Sequence, residues 1–429
     1  MYKPLIINHA PKEKLSPQLE DFFHSYPQYN PAKEELLDIR PAHRWFEQLH
    51  RCVDADTYIF QKMYEGRQGP EALVEGRTLH VFSSYDYLGL IGHPAIDEAA
   101  INAIKVFSTG TGGVRLLTGT NELHDKLEHT ICNFKKTESA LAFTSGYLAN
   151  LAAIAGLFDG RDVAIVDEYI HRSIIDAIRL AGIPCKTFKH NDLSSLRDVL
   201  TKNSGIARRA LIIAEGIYSM DGDICPLPEI VALKEEFGAI LLIDEAHSLG
   251  VLGKNGRGVD EYYGIDPNRI DIFTGSLSKA IPSNGGFIAA REDVIHFLKH
   301  GGAPFMFSAA LSPPNAAAAL TAIEVLKNEL WRIKELWKNT EILLEGLKSM
   351  NINIGHSESP VIPIICGSNE KAFRLSKYLY DAGFLATSVI YPAVPHEMAR
   401  IRLCCTATMK PEIIYDFIEQ VKQHFAGLH

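Results

Sequence analysis

The sequence predicts an α/β protein with a large domain built on a mostly parallel sheet, followed by a smaller α+β C-terminal domain. Two observations predict this fold class. From about residue 80 to residue 310, short continuous apolar runs alternate with helix-like segments, which is typical of parallel strands covered by helices on both faces. Beyond residue 310 the pattern becomes mainly helical, with two shorter apolar runs near the end.

The N-terminal and central regions follow from this pattern. Residues 1–78, rich in Pro, Tyr, His and charged side chains, are predicted to form an N-terminal arm, with helical patterning from roughly Pro41 to Met63. Residues 79–310 are predicted to form the large domain. Its expected strands are the apolar runs ESALAF, DVAIV, RALIIAE, AILLIDE, DIFTGS and GGFIAA.

The C-terminal domain is predicted over residues 311–429. A long polar helix is expected from about Pro314 to Met350, and a last helix is expected after Pro411. Between them, the runs PVIPIIC and ARIRLCC predict two shorter strands.

Composition and charge exclude several classes of protein. The formal net charge of -9 gives no overall attraction to nucleic acid or to an anionic membrane. The seven cysteines have no regular spacing and no CxxC pattern, so we expect a reducing compartment, with Cys404 and Cys405 packed as small apolar side chains. No signal-peptide core or membrane-spanning run is visible. We therefore expect a cytoplasmic protein.

Chemically active side chains follow the apolar runs. In an open α/β sheet the ligand lies outside the carboxyl ends of the strands, so these positions are the first candidates for a site. The residues found there are Ser145, Gly146, Tyr147, Asp167, His171, Asp244, His247, Ser276 and Lys279. One edge of the sheet is therefore predicted to gather carboxylates, imidazoles, a lysine, hydroxyl groups and a helix N-terminus.

Each of these residues also has an ordinary structural interpretation. Asp244 could cap a helix, His171 or His247 could be a hydrogen-bonded structural histidine, and Lys279 alone could lie in solvent. The stretch GSLSKA lacks the spacing of a P-loop, and the glycine-rich STGTGGVR lacks a full dinucleotide-binding pattern. Neither stretch therefore indicates nucleotide binding.

Taken together, the set matches what pyridoxal 5'-phosphate (PLP) requires. A lysine forms a Schiff base with this cofactor, a carboxylate keeps the pyridine nitrogen protonated, and amides with hydroxyl groups bind the phosphate. Lys279 and Asp244 supply the first two groups. Ser145, Gly146 and Tyr147 open a helix whose N-terminal amides and dipole suit a phosphate, and Ser276 adds a hydroxyl group.

Seven stretches in collinear order resemble one known family. They are SSYDYLGLIGHP, TGTGGVRLLTGTNELHDKLE, AFTSGYLAN, DEYIHRSIIDAIRLAG, EGIYSMDGDICPLPEI, LIDEAHSLGVLGKNGRG and GSLSKAIPSNGGFIAA. From about residue 80 to the C-terminus, the chain resembles the PLP-dependent α-oxoamine synthases. This resemblance implies the aspartate-aminotransferase-like PLP fold type I, with a mostly parallel seven-stranded sheet in its large domain.

The resemblance also implies roles for individual residues. Lys279 is similar to the family's Schiff-base lysine, which later serves as acid and base, and Asp244 to the partner of the pyridinium nitrogen. His171 resembles the imidazole stacked on the ring. His247 resembles the residue that hydrogen-bonds the phenolic oxygen, with Ser219 nearby.

Two further roles concern the second subunit and the substrate. Ser308 is similar to the hydroxyl residue that reaches the phosphate of the other subunit, because family active sites form at a homodimer interface. Arg402 aligns with the arginine that clamps the amino-acid carboxylate, an anion that favours a planar bidentate donor. No metal ligand is expected.

Three stretches depart from the family pattern: the one around Tyr85, CCTATM at residues 404–409, and AIPSNGG after the lysine. The family usually reads S-N-D-Y-L-G, and Tyr85 stands where that asparagine would help to hold the amino acid. Tyr85 is therefore a candidate substrate contact in a reshaped pocket, while packing under the N-terminal arm is its structural alternative.

The implied reaction joins an amino acid to an acyl-CoA or acyl-carrier-protein thioester, usually with decarboxylation, and gives an α-aminoketone. An aminotransferase of the same fold is the alternative, and a non-catalytic subunit of a heterodimer is a third possibility. Family members of the third kind have lost the lysine, whereas this chain retains Lys279, Asp244 and both histidines.

Overall fold

The computed structural model describes residue 37 and residues 39–427, so most of the first half of the predicted N-terminal arm lies outside the described residues. The strands are β1 (Glu71–Val74), β2 (Arg77–Val81), β3 (Ser139–Phe143), β4 (Val163–Asp167), β5 (Cys185–Phe188), β6 (Ala210–Glu215), β7 (Ile240–Asp244), β8 (Ile272–Ser276), β9 (Gly286–Ala290), β10 (Val361–Gly367), β11 (Phe384–Leu385), β12 (Ser388–Val389) and β13 (Ala399–Cys404).

The helices cover both faces of the large sheet and most of the C-terminal region. They are α1 (Arg40–Asp54), α2 (Pro94–Phe107), α3 (Glu122–Lys135), α4 (Gly146–Leu157), α5 (Arg172–Ala181), α6 (Leu193–Asn203), α7 (Leu227–Phe237), α8 (Val259–Tyr263), α9 (Glu292–Gly301), α10 (Ala303–Met306), α11 (Pro313–Asn328), α12 (Trp331–Ser349), α13 (Asn369–Asp381) and α14 (Pro411–Ala426).

The central sheet has seven strands in the order β3-β9-β8-β7-β6-β4-β5. Strand β9 runs antiparallel to both of its neighbours, and the other pairs are parallel. This confirms the predicted fold class, and all six predicted strands of the large domain are present. The seventh strand, β5, was missed because it is an edge strand whose residues Cys185, Lys186 and Thr187 are exposed, so it has no apolar run.

Alternate residues of the central strands face two separate layers of the core. In β7, Leu241 and Ile243 pack in one hydrophobic cluster, whereas Leu242 packs in the other. Burial on both faces explains why these strands read as continuous apolar runs. Each fully buried Leu or Ile side chain contributes about 1.5–3 kcal/mol.

Two smaller sheets are separate from the seven-stranded sheet. Strands β10, β13 and β12 form an antiparallel sheet, as the two predicted C-terminal strands indicated. In the other, β2 pairs with β1 and, in parallel, with β11. The second sheet thus joins residues 71–81 to a strand from the C-terminal region, and the predicted domain boundaries at residues 78 and 310 stay predictions.

Two predicted helices differ from the observed ones. The N-terminal helix ends at Asp54 rather than near Met63, because Asp56 has a φ of 52° and turns the chain out of the helix. The long C-terminal helix is broken into α11 and α12. Its break lies at Glu329, whose carboxylate binds both His93 and Arg332.

A buried lysine joins the end of α3 to the end of β7. Lys135 Nζ lies 2.8 Å from Glu245 Oε1, 2.7 Å from Asp260 Oδ1 and 2.5 Å from the carbonyl oxygen of Arg257. The side chains of all three ion-pairing residues are fully buried. Glu245 also accepts a hydrogen bond from the hydroxyl group of Ser248. This buried ion pair therefore fixes the position of the turn that follows β7.

We predict that Lys135→Met lowers the free energy of unfolding by roughly 3–5 kcal/mol, because it leaves two carboxylates buried without their cation. Urea unfolding at fixed protein concentration measures the change. Lys126→Met is the matched control, since Lys126 pairs with Glu122 on the surface and its loss should cost less than about 1 kcal/mol. Equal losses in the two variants would contradict this account of the cluster.

Candidate active site

The N-terminus of α4 lies against the carboxyl end of β8. Ser145 caps the helix, and its hydroxyl group accepts a hydrogen bond from the amide of Leu148 at 3.2 Å. A Cβ at Gly146 would lie 3.2 Å from both the carbonyl oxygen of Gly275 and Cβ of Ser276, so glycine permits this close approach. The first amides of a helix have no intrahelical acceptor, and this end is therefore suited to an anion.

Asp244 ends β7 and is buried, with both carboxylate oxygens engaged. Asn150 Nδ2 donates to Oδ2 at 2.8 Å, and the amide of Ala246 donates to Oδ1 at 2.9 Å. Asn150 lies one turn into α4 and also donates to Ser173 Oγ at 2.9 Å. The carboxylate is thus fixed in direction by two separate elements.

Lys279 follows β8 and is half-buried. Burial lowers the pKa of its ammonium group, the nearby charge of Asp244 opposes that shift, and Arg402 reinforces it. A lysine with a lowered pKa loses its proton more readily, as a nucleophile or base must. Its Nζ lies 5.8 Å from the centre of the Tyr85 ring, which is 44% exposed. The structure therefore places Tyr85 beside the lysine.

The two predicted histidines lie on different elements. His171 caps α5, where its Nδ1 accepts from the amide of Ser173 at 3.2 Å, and its own amide donates to Glu215 Oε1 at 2.5 Å. His247 is buried, and its Nδ1 lies 2.7 Å from the hydroxyl oxygen of Tyr87. Burial, followed by Lys279 and Arg402, lowers the pKa of His247 well below its ordinary value, so this ring is neutral at pH 7.

Arg402 enters the site from β13. Its Nε donates to the carbonyl oxygen of Ser219 at 2.6 Å, while its Nη2 is buried and has no hydrogen-bond partner among the described residues. A buried guanidinium nitrogen without an acceptor is costly. This geometry therefore indicates a place for an anionic ligand.

Three other predicted residues have different surroundings. The hydroxyl group of Ser276 lies 2.8 Å from that of Ser278. The hydroxyl group of Tyr147 donates to Asp176 at 2.6 Å, so its amide rather than its ring belongs to the helix end. Ser308 lies on a separate segment, beside the bridge between Val114 and Ala309, and the structure of one chain does not bring it to the other site residues.

Several contacts of the site were missed in the sequence. Asn150 and Tyr87 support Asp244 and His247, but neither follows an apolar run. Glu215 ends β6 opposite Asp244, so the rule that drew attention to the strand ends could have found it. Burial raises the pKa of Glu215 well above its ordinary value, and the neighbouring Asp244 adds a smaller effect in the same direction.

These residues fit PLP. The carboxylate of Asp244 is fixed by two donors, the helix end at Ser145 suits a phosphate, and Lys279 has a lowered pKa. The unpartnered Nη2 of Arg402 leaves a buried donor that an anionic oxygen could accept from. The donor set is that of an amino-acid enzyme with an organic cofactor.

A second cluster lies beside the site, at the ends of β4 and β5. His190 Nδ1 lies 2.9 Å from Asp167 Oδ1, and Nε2 lies 3.0 Å from Asp223 Oδ2. Although burial alone would lower it, these two carboxylates raise the pKa of His190 to about 10. The ring is stacked on Tyr169 and meets Tyr218 edge to face. His190 is therefore an imidazolium at neutral pH.

Known proteins resemble this chain over most of its length. The sequence profile of the aminotransferase class I and II family matches residues 77–421. The 8-amino-7-oxononanoate synthase 1 of Bacillus velezensis is 41% identical over 375 residues, which cover 87% of this chain and 95% of that protein. That of Bacillus subtilis is 40% identical over 360 residues, covering 84% and 91%.

Solved structures also resemble this chain over most of its length. A serine palmitoyltransferase of S. paucimobilis with a bound PLP-myriocin aldimine superimposes with a TM-score of 0.88 at 30% identity, covering 92% of this chain and 100% of that one. The 8-amino-7-oxononanoate synthase of Francisella tularensis gives a TM-score of 0.72 at 26% identity, covering 81% and 98%. Within residues 39–427, no helix has the length and hydropathy required to cross a membrane.

We predict that the stabilising effect of His190 depends on pH. Below pH 6.5, the ordinary histidine pKa, the ring is protonated in both states and its contribution is complete. As the pH rises, the unfolded chain loses the proton first, so the contribution falls and is lost through about pH 10. The difference in unfolding free energy between the wild type and His190→Gln should shrink by on the order of 2–4 kcal/mol.

Urea unfolding at pH 6, 8 and 10 measures that difference at fixed protein concentration. Leu200→Ala is the control, because it removes buried apolar surface without a titrating group. Its difference from the wild type should stay nearly constant over the series. A constant or growing difference for His190→Gln would contradict the prediction.

Proposed function

Because this chain belongs to the aminotransferase class I and II family and, within it, to the α-oxoamine synthases, we propose how its residues divide the work of the family reaction. The protein is a PLP-dependent acyltransferase. It condenses an amino acid with the acyl group of a CoA or acyl-carrier-protein thioester, usually with loss of CO2, to give an α-aminoketone. The convergence of Lys279, Asp244 and the unpartnered Nη2 of Arg402 supports this assignment of roles.

Asp244 and α4 hold the cofactor in this proposal. The carboxylate of Asp244, oriented by Asn150, binds the protonated ring nitrogen. The helix end at Ser145, Gly146 and Tyr147, with the hydroxyl group of Ser276, binds the phosphate.

The two histidines and Ser219 complete the cofactor site. His171, at the start of α5, covers one face of the ring. His247, whose orientation is fixed by Tyr87, would form a hydrogen bond with the phenolic oxygen, and Ser219 is assigned to the same part of the site. A neutral His247 adds no positive charge next to Lys279.

Arg402 and Lys279 act on the amino acid. The free Nη2 of Arg402 binds the substrate carboxylate and directs the α-carbon towards Lys279. When bound, PLP supplies an electron-accepting ring that stabilises negative charge on the α-carbon. Lys279 removes the α-proton, which its lowered pKa favours, and later returns a proton to the product. Tyr85, beside Lys279, bounds the space for the amino-acid side chain.

We predict that Lys279→Ala reduces kcat/KM for thiol release by on the order of 1000-fold, because the residue that moves the α-proton is lost. The assay supplies an amino acid with acyl thioesters of increasing length and measures free thiol and CO2. Lys254→Ala, at an exposed turn, is the control and should retain the wild-type rate. Turnover with an α-keto acid, without release of thiol or CO2, would instead support an aminotransferase.

We also propose that two copies of the chain share their active sites. Leu116, Leu117 and Phe307 form an exposed apolar patch, in which Leu117 is 78% exposed and Phe307 is 80% exposed. The bridge between Val114 and Ala309 joins the two segments of this patch. Burial of such side chains against a second copy is favourable. Ser308 lies within this patch, where it would reach the phosphate bound by the other subunit.

A cytoplasmic location is also proposed, in keeping with seven free cysteines.

We predict that Leu117→Asp converts the dimer into monomers and lowers activity, because a charge then replaces an apolar side chain in the contact between subunits. Sedimentation velocity at several protein concentrations measures the association state. Tyr415→Asp, an exposed apolar-to-acid change on α14, should leave both association and activity unchanged. Dimers that persist in Leu117→Asp would exclude this patch from the interface.

A further inference from the structure

A tight turn between β6 and α7 contacts the guanidinium group of Arg402. Residues 218–223, which we call the Ser219 turn, are closed by hydrogen bonds from the amide of Gly222 to the carbonyl oxygen of Tyr218 and from the amide of Tyr218 to that of Asp223, at 2.9 and 3.0 Å. Gly222 has a φ of +79°, and a Cβ there would collide with the carbonyl oxygen of Val361. The turn is thus pressed against the start of β10.

Two arginines of β13 bind three successive residues of the Ser219 turn. Arg402 Nε donates to the carbonyl oxygen of Ser219 at 2.6 Å. Arg400 Nη1 donates to the carbonyl oxygen of Met220 at 2.9 Å and to Asp221 Oδ1 at 2.7 Å. Residues two apart on a strand point to the same face, which explains why both guanidinium groups reach one turn.

His190 holds the other end of the Ser219 turn. It connects Asp223, in the turn, to Asp167, at the end of β4 in the central sheet. Carboxylates only accept hydrogen bonds, so both ring nitrogens donate and His190 bridges the two as a cation. The turn is therefore fixed to β13 by Arg400 and to the central sheet by His190.

We propose that His190 and Arg400 are positioning residues for Arg402, because they fix the turn that sets the direction of its guanidinium group. This inference rests on the proposed function, in which Arg402 binds the amino-acid carboxylate. A guanidinium group is planar, so the bond from Nε to Ser219 also determines where Nη2 points. A misdirected Nη2 binds the substrate carboxylate less tightly, and a tenfold loss of affinity corresponds to about 1.4 kcal/mol.

The test uses the PLP-loaded full chain and the variants His190→Gln and Arg400→Lys. The probe is whichever of glycine, L-alanine and L-serine gives most thiol release with the wild type. We expect each variant to raise the Kd from calorimetric titration, and the KM, by about tenfold, while kcat changes less than about twofold and the absorbance spectrum of the cofactor is retained. His93→Gln, which removes a partly buried contact with Glu329, is the control and should leave Kd unchanged.

A double-mutant cycle separates positioning from general stabilisation. If His190 acts through Arg402, then His190→Gln should raise Kd by less than about twofold in an Arg402→Lys background. Additive effects, or a lower melting temperature with wild-type Kd, would overturn the inference. If His190→Gln does not fold, Asp223→Asn replaces it as the test. This variant keeps an oxygen that can accept a hydrogen bond from His190 but has no charge, and we expect it to raise Kd as well.

The outcome also distinguishes this inference from the proposed function. A wild-type protein that neither binds nor turns over any of the three amino acids would overturn both. Wild-type binding that Arg402→Lys weakens and His190→Gln leaves unchanged would overturn only the positioning role. Loss of affinity in both variants, with non-additive effects, is the result expected.

Discussion

The ammonium group of Lys135 lies in the core, where it contacts the carboxylates of Glu245 and Asp260. Removing a charge from water is unfavourable, so the free energy of this cluster depends on the position of its partners. Glu245 directly follows Asp244, and Ser248, which donates to Glu245, directly follows His247. The turn therefore directs Asp244 and His247 into the site, and Glu245 and Ser248 into the core. Because the buried ion pair fixes Glu245, it also fixes the neighbouring site residues.

A second electrostatic constraint operates along the same sheet edge. Glu215 and Asp244 are paired residues at the ends of neighbouring strands, and two buried carboxylates this close cannot both be ionised without a large cost. Asp244 has two donors, from Asn150 and Ala246, which fix the direction of its carboxylate. Burial and the neighbouring Asp244 raise the pKa of Glu215 well above its ordinary value, which favours its protonated form; in the proposed function, Asp244 is the carboxylate that binds the cofactor's ring nitrogen.

Much of the fold could be predicted because its signals are local. Buried parallel strands read as apolar runs, and six of the seven strands of the central sheet were found in this way. Strand β5 was missed because Lys186 and Thr187 are exposed at the sheet edge. The break between α11 and α12 was missed because Glu329 turns there to contact His93, more than 230 residues earlier in the chain. A contact of that kind leaves no trace in a window of neighbouring residues.

By itself, the sequence determined the fold class and the chemistry of the strand ends, since periodicity and residue type suffice to place Asp244, His171 and Lys279 at one edge. Only the tertiary structure decided which groups support them. Asn150 binds Asp244 across 94 residues, and Arg402 binds Ser219 across 183. The direction of a side chain depends on partners brought together by folding, and those partners, unlike the strands, have no period in the sequence.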